Sequence, residues 1–130
     1  ERLLTQGEQG AAMYILVSGK VHITRRDTIS QEEQDAGEAR DGEVFGLLSL
    51  VEHMPSPETC TAEGPATVAA LTPERYHALF LLSPSLARQL QYMVAVQLAR
   101  ELQWKNQSLR KGLTRQKRPS LLERLFGVSG

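Results

Sequence analysis

Cysteine is almost absent from this chain, because Cys60 is the only one among 130 residues. A single thiol excludes an intrachain disulfide and is typical of a reducing intracellular setting. No apolar run approaches the roughly 20 residues that a membrane-spanning helix needs, and no cationic-then-apolar leader opens the chain. We therefore predict a cytoplasmic location, either as a free protein or as the cytosolic domain of a membrane protein. The chain begins at Glu1 without methionine, so we expect it to be part of a longer polypeptide.

Catalytic and metal-binding motifs are also missing. The sequence contains no G-x-S-x-G elbow, no H-E-x-x-H pair, no P-loop and no G-x-G-x-x-G turn. His22, His53 and His77 lie in three separate segments without ligand spacing, and the acidic run 32–38 lacks the spacing of an EF-hand loop. We predict a protein that is not an enzyme, with no catalytic residue and no metal site.

The net charge of zero conceals an uneven distribution. Residues 1–64 hold five basic and 12 acidic residues, whereas residues 101–130 hold seven basic and two acidic ones. Two interpretations of the basic tail are open: a solvated helix end and linker, which we favour, or a non-specific contact with nucleic acid or anionic lipid. No specific nucleic-acid partner is predicted. The tail's main basic residues are Arg110, Lys111, Arg115, Lys117, Arg118 and Arg124.

Short apolar segments separated by turn residues fill the first half of the chain. Residues 13–24, MYILVSGKVHIT, predict a β-hairpin that turns at Ser18-Gly19. The polar stretch 25–42 predicts a surface loop or a frayed hairpin tip. Two further strands are expected at Thr59–Ala62 and Thr67–Leu71, and such a series of short strands is typical of a small barrel or sandwich.

Helical signals begin at Thr72, a predicted N-cap that is followed by proline at the first helical position. Ser83 and Pro84 show the same combination of N-cap and proline, and they begin a helix that we expect over 84–111, with Gly112 ending it. A helix of about 28 residues is about 42 Å long. Its far half is expected to project, to pair with a second copy or to lie across another domain.

Glycines punctuate the first fifty residues, and four blocks of sequence accompany them: QGEQGAAMYILVSGKVHI, DGEVFGLLSL, PETCTA and VAALTPERYHALF. Together these blocks resemble the cyclic nucleotide-binding domain family, which includes catabolite-activator regulators and protein kinase A regulatory subunits. The resemblance covers about residues 2–82, and the helix 84–111 is similar to the family's C-terminal helix. It implies an α+β fold, a mainly β jelly-roll (double-stranded β-helix) with a long C-terminal α-helix.

The resemblance also places a ligand pocket at the family's phosphate-binding cassette, which reads F-G-E-[IL]-A-L, a short helix, and then P-R-[AST]-A-T-V. In this chain Leu47 stands where the family has the glutamate that holds the ribose, and Glu58 stands where it has the phosphate-binding arginine. No lysine or arginine occurs from Asp41 through Glu74. We predict that the cassette is degenerate and holds no cofactor, and that binding of a cyclic nucleotide is disfavoured. The pocket residues are Phe45, Gly46, Leu47, Leu48, Ser49, Glu58, Thr59 and Cys60; Cys60 is also interpreted as a small core residue.

Two functions are compatible with these residues. The first is a regulatory domain that acts through protein contacts, with other domains of its parent protein or with a second copy through helix 84–111. The second is a genuine sensor that binds a cyclic nucleotide or another small molecule through the atypical cassette. The chain divides into a β-roll with its following helix (1–82), the long helix (83–112), and a basic linker with a short amphipathic terminal helix (113–130).

Overall fold

Two antiparallel sheets and two helices make up the part of the chain that this computed structural model describes, residues 1–116, with side chains to residue 110. One sheet has the strand order β1-β6-β3-β4 and the other β5-β2-β7. The architecture is the expected jelly-roll with a long C-terminal helix. The strands are β1 (Arg2–Leu4), β2 (Met13–Ser18), β3 (Val21–Arg26), β4 (Glu33–Ala39), β5 (Val44–Phe45), β6 (Thr59–Ala62) and β7 (Thr67–Leu71). The helices are α1 (Pro73–Leu82) and α2 (Pro84–Gln116).

The main core lies between the two sheets. Leu16 from β2 and Val21 from β3 are fully buried there, although the two strands belong to different sheets. Apolar residues from both sheets complete this cluster, so each sheet covers the inner face of the other. Its buried members are Leu4, Leu16, Val21, Ala39, Phe45 and Cys60.

The predicted hairpin over residues 13–24 is wrong. β2 pairs with β5 and β7, whereas β3 pairs with β4 and β6, so the chain crosses between sheets at Ser18-Gly19-Lys20. Gly19 has a φ of +110°, and a Cβ atom on it would lie 2.6 Å from the carbonyl oxygen of Pro65. The local turn was predicted correctly, but a turn signal does not determine which strand becomes the partner.

The polar stretch contains a strand that composition alone does not reveal. β4 pairs antiparallel with β3, and residues 27–32 form the tip of this hairpin. Asp27 closes the tip, because its carboxylate accepts hydrogen bonds from the backbone N–H groups of Ile29 and Ser30, at 2.8 and 3.2 Å. β4 is an edge strand, and its exposed charged side chains are typical of edges that resist pairing with other chains.

Both helices begin where the sequence predicts. The Thr72 hydroxyl accepts a hydrogen bond from the backbone N–H of Arg75 at 3.3 Å, which caps α1. Helix α2 does not end at Gly112 but continues to Gln116, because one helical glycine costs only about 1 kcal/mol relative to alanine. Residues 117–130, which include the predicted terminal amphipathic helix and much of the basic tail, lie outside the described residues.

Helix α2 lies along the β-roll for longer than expected. Its buried positions recur every seven residues, at Ala87, Val94, Glu101 and Ser108, so one face stays against the domain while the opposite face is exposed. A second apolar cluster joins this face to the β-roll and to α1 through Met13, Leu50, Tyr76 and Val94. The far half of the helix therefore packs on its own domain as far as Ser108.

We expect Gly19→Ala to destabilise the fold more than Gly37→Ala. Both glycines have φ near +110°, but an alanine Cβ at position 37 would meet nothing within 4 Å. The left-handed conformation alone costs alanine about 1–2 kcal/mol, and the clash at position 19 adds roughly 1–3 kcal/mol. Urea unfolding of the two variants measures the difference; equal losses would contradict the close packing of Gly19 against Pro65.

Candidate functional site

The turn at Gly46 shapes the predicted pocket. Gly46 adopts φ 76° and ψ 25° and leads into a 3₁₀-helix, Leu47–Leu50. A Cβ atom on Gly46 would lie 2.7 Å from a methyl carbon of Leu4 and 3.3 Å from the Ala12 carbonyl oxygen. Both the conformation and the close contact therefore require glycine at this position.

Six of the eight predicted pocket residues line one hollow, which we call the cassette hollow: Phe45, Gly46, Leu47, Leu48, Ser49 and Glu58. Pro57 borders the hollow beside Glu58, and Gln97 of α2 lies on its helix side. The volume of the hollow is about 170 Å³. No lysine or arginine side chain within the described residues lines it; its polar lining is one carboxylate, Glu58, with the uncharged Ser49, Ser56 and Gln97.

Thr59 and Cys60 lie outside the cassette hollow. The Thr59 hydroxyl accepts a hydrogen bond from the backbone N–H of Gln6 at 3.0 Å. Cys60 is 1% exposed in the main core, where burial and then the charge of Glu58 raise the pKa of its thiol to about 12. Such a thiol is unreactive at neutral pH, and Cys60 fits the interpretation as a core residue.

A cation that the sequence analysis missed reaches Glu58 from β3. Nη1 of Arg25 lies 3.8 Å from Oε1 of Glu58, and Nη2 of Arg25 donates to Oε2 of Glu101 on α2. The Arg25 guanidinium also stacks 3.8 Å above the ring centroid of Trp104, a cation–π contact. We call Arg25, Glu58, Glu101 and Trp104 the Arg25 cluster; it joins the cassette, a central strand and the long helix.

The charges of the Arg25 cluster are largely removed from water. The side chains of Arg25, Glu58 and Glu101 are 12%, 27% and 5% exposed. Burial raises the pKa of Glu58 above its usual value; the charge of Arg25 lowers it and that of Glu101 raises it further. One guanidinium thus serves two carboxylates, and within the described residues the buried Nε of Arg25 has no hydrogen-bond partner.

A sequence signal for Arg25 did exist. Val21, Ile23 and Arg25 alternate along β3, and side chains two residues apart point to the same side of a strand. An arginine in register with core residues is expected to need a buried partner. That partner cannot be identified from spacing, because Glu101 lies 76 residues away in the sequence.

The histidines form no metal site within residues 1–110. His22 lies 3.2 Å from Asp35 and 3.9 Å from Glu63. A hydrogen bond from the Gly37 backbone N–H, followed by one from His22, lowers the pKa of Asp35. No group of three histidine, cysteine or carboxylate side chains in that range is arranged to hold a metal ion.

Comparison with known families decides the identity of the fold. The sequence model of the cyclic nucleotide-binding domain family matches residues 1–82. The chain belongs to this family. The Cyclic AMP receptor protein of Thermus thermophilus is 31% identical over 93 residues, which is 72% of this chain and 43% of that protein.

Solved structures of this family share the architecture. The crystal structure of Thermus thermophilus Catabolite Activator Protein matches with a TM-score of 0.65 and 28% identity, covering 85% of this chain and 49% of that one. A cyclic nucleotide-binding domain from Methylobacillus flagellatus KT shows the same fold, with a TM-score of 0.61, 23% identity and coverage of 100% of this chain and 64% of that one. The chain spans about half the length of its Thermus relatives. Within residues 1–116, no helix has the length and hydropathy needed to cross a bilayer.

We expect Arg25→Met to destabilise this cyclic nucleotide-binding domain by about 3–5 kcal/mol, because it leaves the buried carboxylate of Glu101 without its partner. Arg26→Met is the matched control: Arg26 is 58% exposed and lies 3.9 Å from Glu33, and such surface pairs contribute about 0–1 kcal/mol. Urea unfolding measures both losses. Adding Glu101→Leu to Arg25→Met is expected to restore most of the stability, and equal losses in the two single variants would contradict the cluster.

Proposed function

We propose that this chain is a regulatory domain of a larger protein that does not bind cyclic AMP or cyclic GMP in the family's usual way and acts through protein contacts. The observation that carries the proposal is the position of Glu58 in the cassette hollow, paired with Arg25. The anion-binding function of the cassette is thereby replaced by an internal ion pair.

The electrostatics of the hollow support this proposal. The family's arginine would supply charge-assisted hydrogen bonds to a phosphate, each contributing about 1.5–3 kcal/mol. A carboxylate about 4 Å from a phosphate would instead repel it by roughly 1–4 kcal/mol, depending on the local dielectric. The two effects together correspond to about two to five orders of magnitude in affinity.

Arg25 does not replace the missing arginine. Its guanidinium is already shared between Glu58 and Glu101 and covers the ring of Trp104. To meet a phosphate it would have to leave two carboxylates, one of them almost fully buried. Leu47 moreover offers no carboxylate to a ribose hydroxyl, so neither end of the sugar phosphate finds its usual partner.

Exposed apolar side chains provide surface for the protein contacts. At the junction of α1 and α2, Leu81 and Leu82 are 88% and 82% exposed. On α2 the exposed residues Ala95, Ala99, Leu102, Asn106 and Leu109 follow a spacing of four and three residues, which is the seam of a coiled coil. In that register leucine occupies two d positions and Asn106 an a position, a combination that favours a two-stranded partner.

We expect isothermal titration calorimetry to detect no saturable binding of cyclic AMP or cyclic GMP at concentrations up to about 1 mM. The double variant Leu47→Glu/Glu58→Arg, which restores the family pattern, is expected to gain at least tenfold in affinity. The arginine attracts the phosphate that Glu58 would repel, and the new glutamate can bond the ribose hydroxyl. Leu47→Glu/Glu52→Arg is the control, because it makes the same change in net charge but places the arginine outside the cassette hollow.

Micromolar binding of either nucleotide by the unmodified chain would overturn this proposal and favour the alternative, a sensor with an atypical cassette. Equal gains in the two double variants would show that the shared Leu47→Glu change or the net charge, rather than the residue at position 58, controls binding.

We also propose self-association through the exposed face of α2, in parallel with contacts to other domains of the parent protein. Sedimentation equilibrium is expected to show a dimer at high micromolar concentration, and Leu102→Glu is expected to reduce it to a monomer by placing charge in the seam. Gln103→Glu, the adjacent exposed position, is the control and should leave the dimer unchanged. A monomeric unmodified chain at several hundred micromolar would exclude this mode.

A further inference from the structure

A second cavity lies between α2 and the loops of the β-roll, and it shares the lining residues Ser56 and Pro57 with the cassette hollow. We call it the helix cavity; its volume is about 280 Å³. One wall belongs to α2, and the opposite wall is formed by the loop after β1, the tip of the β3–β4 hairpin and residues 54–57. Its apolar lining consists of Ile29, Met54, Pro55, Pro57, Trp104 and Leu109.

The charged groups at the helix cavity are already neutralised or solvated. Arg25 and Glu101 line it but are paired with each other, and Lys105 is exposed to solvent. A charged ligand would have to break the buried ion pair, which is costly, or rely on a solvated lysine, which contributes at most about 1 kcal/mol. The cavity therefore favours an uncharged ligand.

Hydrogen-bonding groups are present on both walls. Ser108 of α2 is 8% exposed and lines the cavity; Gln6 and Ser56 line it from the β-roll, but their side chains already bond the backbone of Arg26 and Glu58. A serine hydroxyl can either donate or accept a hydrogen bond. The cavity can thus orient one polar group on an otherwise apolar ligand, as small-molecule sites usually do.

The volume limits the size of the ligand. An apolar protein cavity of about 150 Å³ holds benzene, so the helix cavity, at about 280 Å³, has room for roughly two fused rings. Methionine sulfur and tryptophan make favourable contacts with aromatic rings, and both Met54 and Trp104 line this cavity.

We infer that the helix cavity is a binding site for an uncharged, bicyclic aromatic molecule with one hydrogen-bonding group. Such a ligand contacts the β-roll and α2 at once, so its binding stabilises the docked position of the long helix. This site adjoins the cassette hollow at Ser56 and Pro57 but does not require a cyclic nucleotide.

Trp104 allows a direct test, because it is the only tryptophan in the chain and it lines the cavity. Its indole N–H gives a single NMR cross-peak. Coumarin, an uncharged bicyclic probe, is expected to shift this peak to saturation with a Kd of roughly 10 µM to 1 mM, as for efficient fragments of its size. It should also raise the Tm, because it binds only the folded state. The anion 2-naphthoate should bind at least tenfold more weakly.

Matched variants locate the site on α2. Ser108→Phe fills the cavity and is expected to weaken coumarin binding at least tenfold, whereas Gln107→Phe, on the exposed side of the same helix turn, should change it less than twofold. Ile29→Phe, on the opposite wall, serves the same purpose should Ser108→Phe fail to fold.

The absence of a saturable shift of the Trp104 peak would overturn the inference. Unchanged coumarin binding in a folded cavity-filling variant would also overturn it. 2-Naphthoate binding as tight as coumarin would overturn the assignment of an uncharged ligand.

Discussion

The guanidinium group of Arg25 is the point on which the arrangement of this domain depends. It lies between a carboxylate of the cassette and a carboxylate of the long helix and covers an indole ring. Without it, two acids would face each other across a largely dry interface, at a cost of several kcal/mol. The same side chain therefore links α2 to the β-roll and lies beside the carboxylate of Glu58 in the cassette hollow.

Under the proposed function, this arrangement separates two properties that nucleotide-binding members of the family combine, namely the shape of the cassette and its affinity for an anion. The shape is retained, because Gly46 packs against Leu4 and Ala12, and Leu50 of the 3₁₀-helix is buried in the second apolar cluster. The proposed loss of anion affinity rests on the residues at positions 47 and 58. The helix cavity lies on the other side of the Arg25 cluster and keeps a largely apolar character.

Features set by local chemistry were predictable from the sequence. The Thr72 cap, the prolines that start both helices and the strands Thr59–Ala62 and Thr67–Leu71 depend on neighbouring residues, and all of them are found as expected. The partners of β2 and β3 were not predictable, because pairing between distant strands depends on which sheets close over the core. The continuation of α2 beyond Gly112 has a similar cause: packing along the preceding turns outweighs the weak helix propensity of glycine. The alternation along β3 indicates that Arg25 faces inward. Its role was not predicted, because its partner Glu101 lies 76 residues away in the sequence.

The uninterrupted run of α2 has a mechanical consequence. Thirty-three residues in one helix span about 50 Å, so a pivot of about 10° at the base would carry the distal tip through nearly 9 Å. A change in packing near position 101 would therefore displace the distal turns of α2 further than it displaces the contacting side chains themselves.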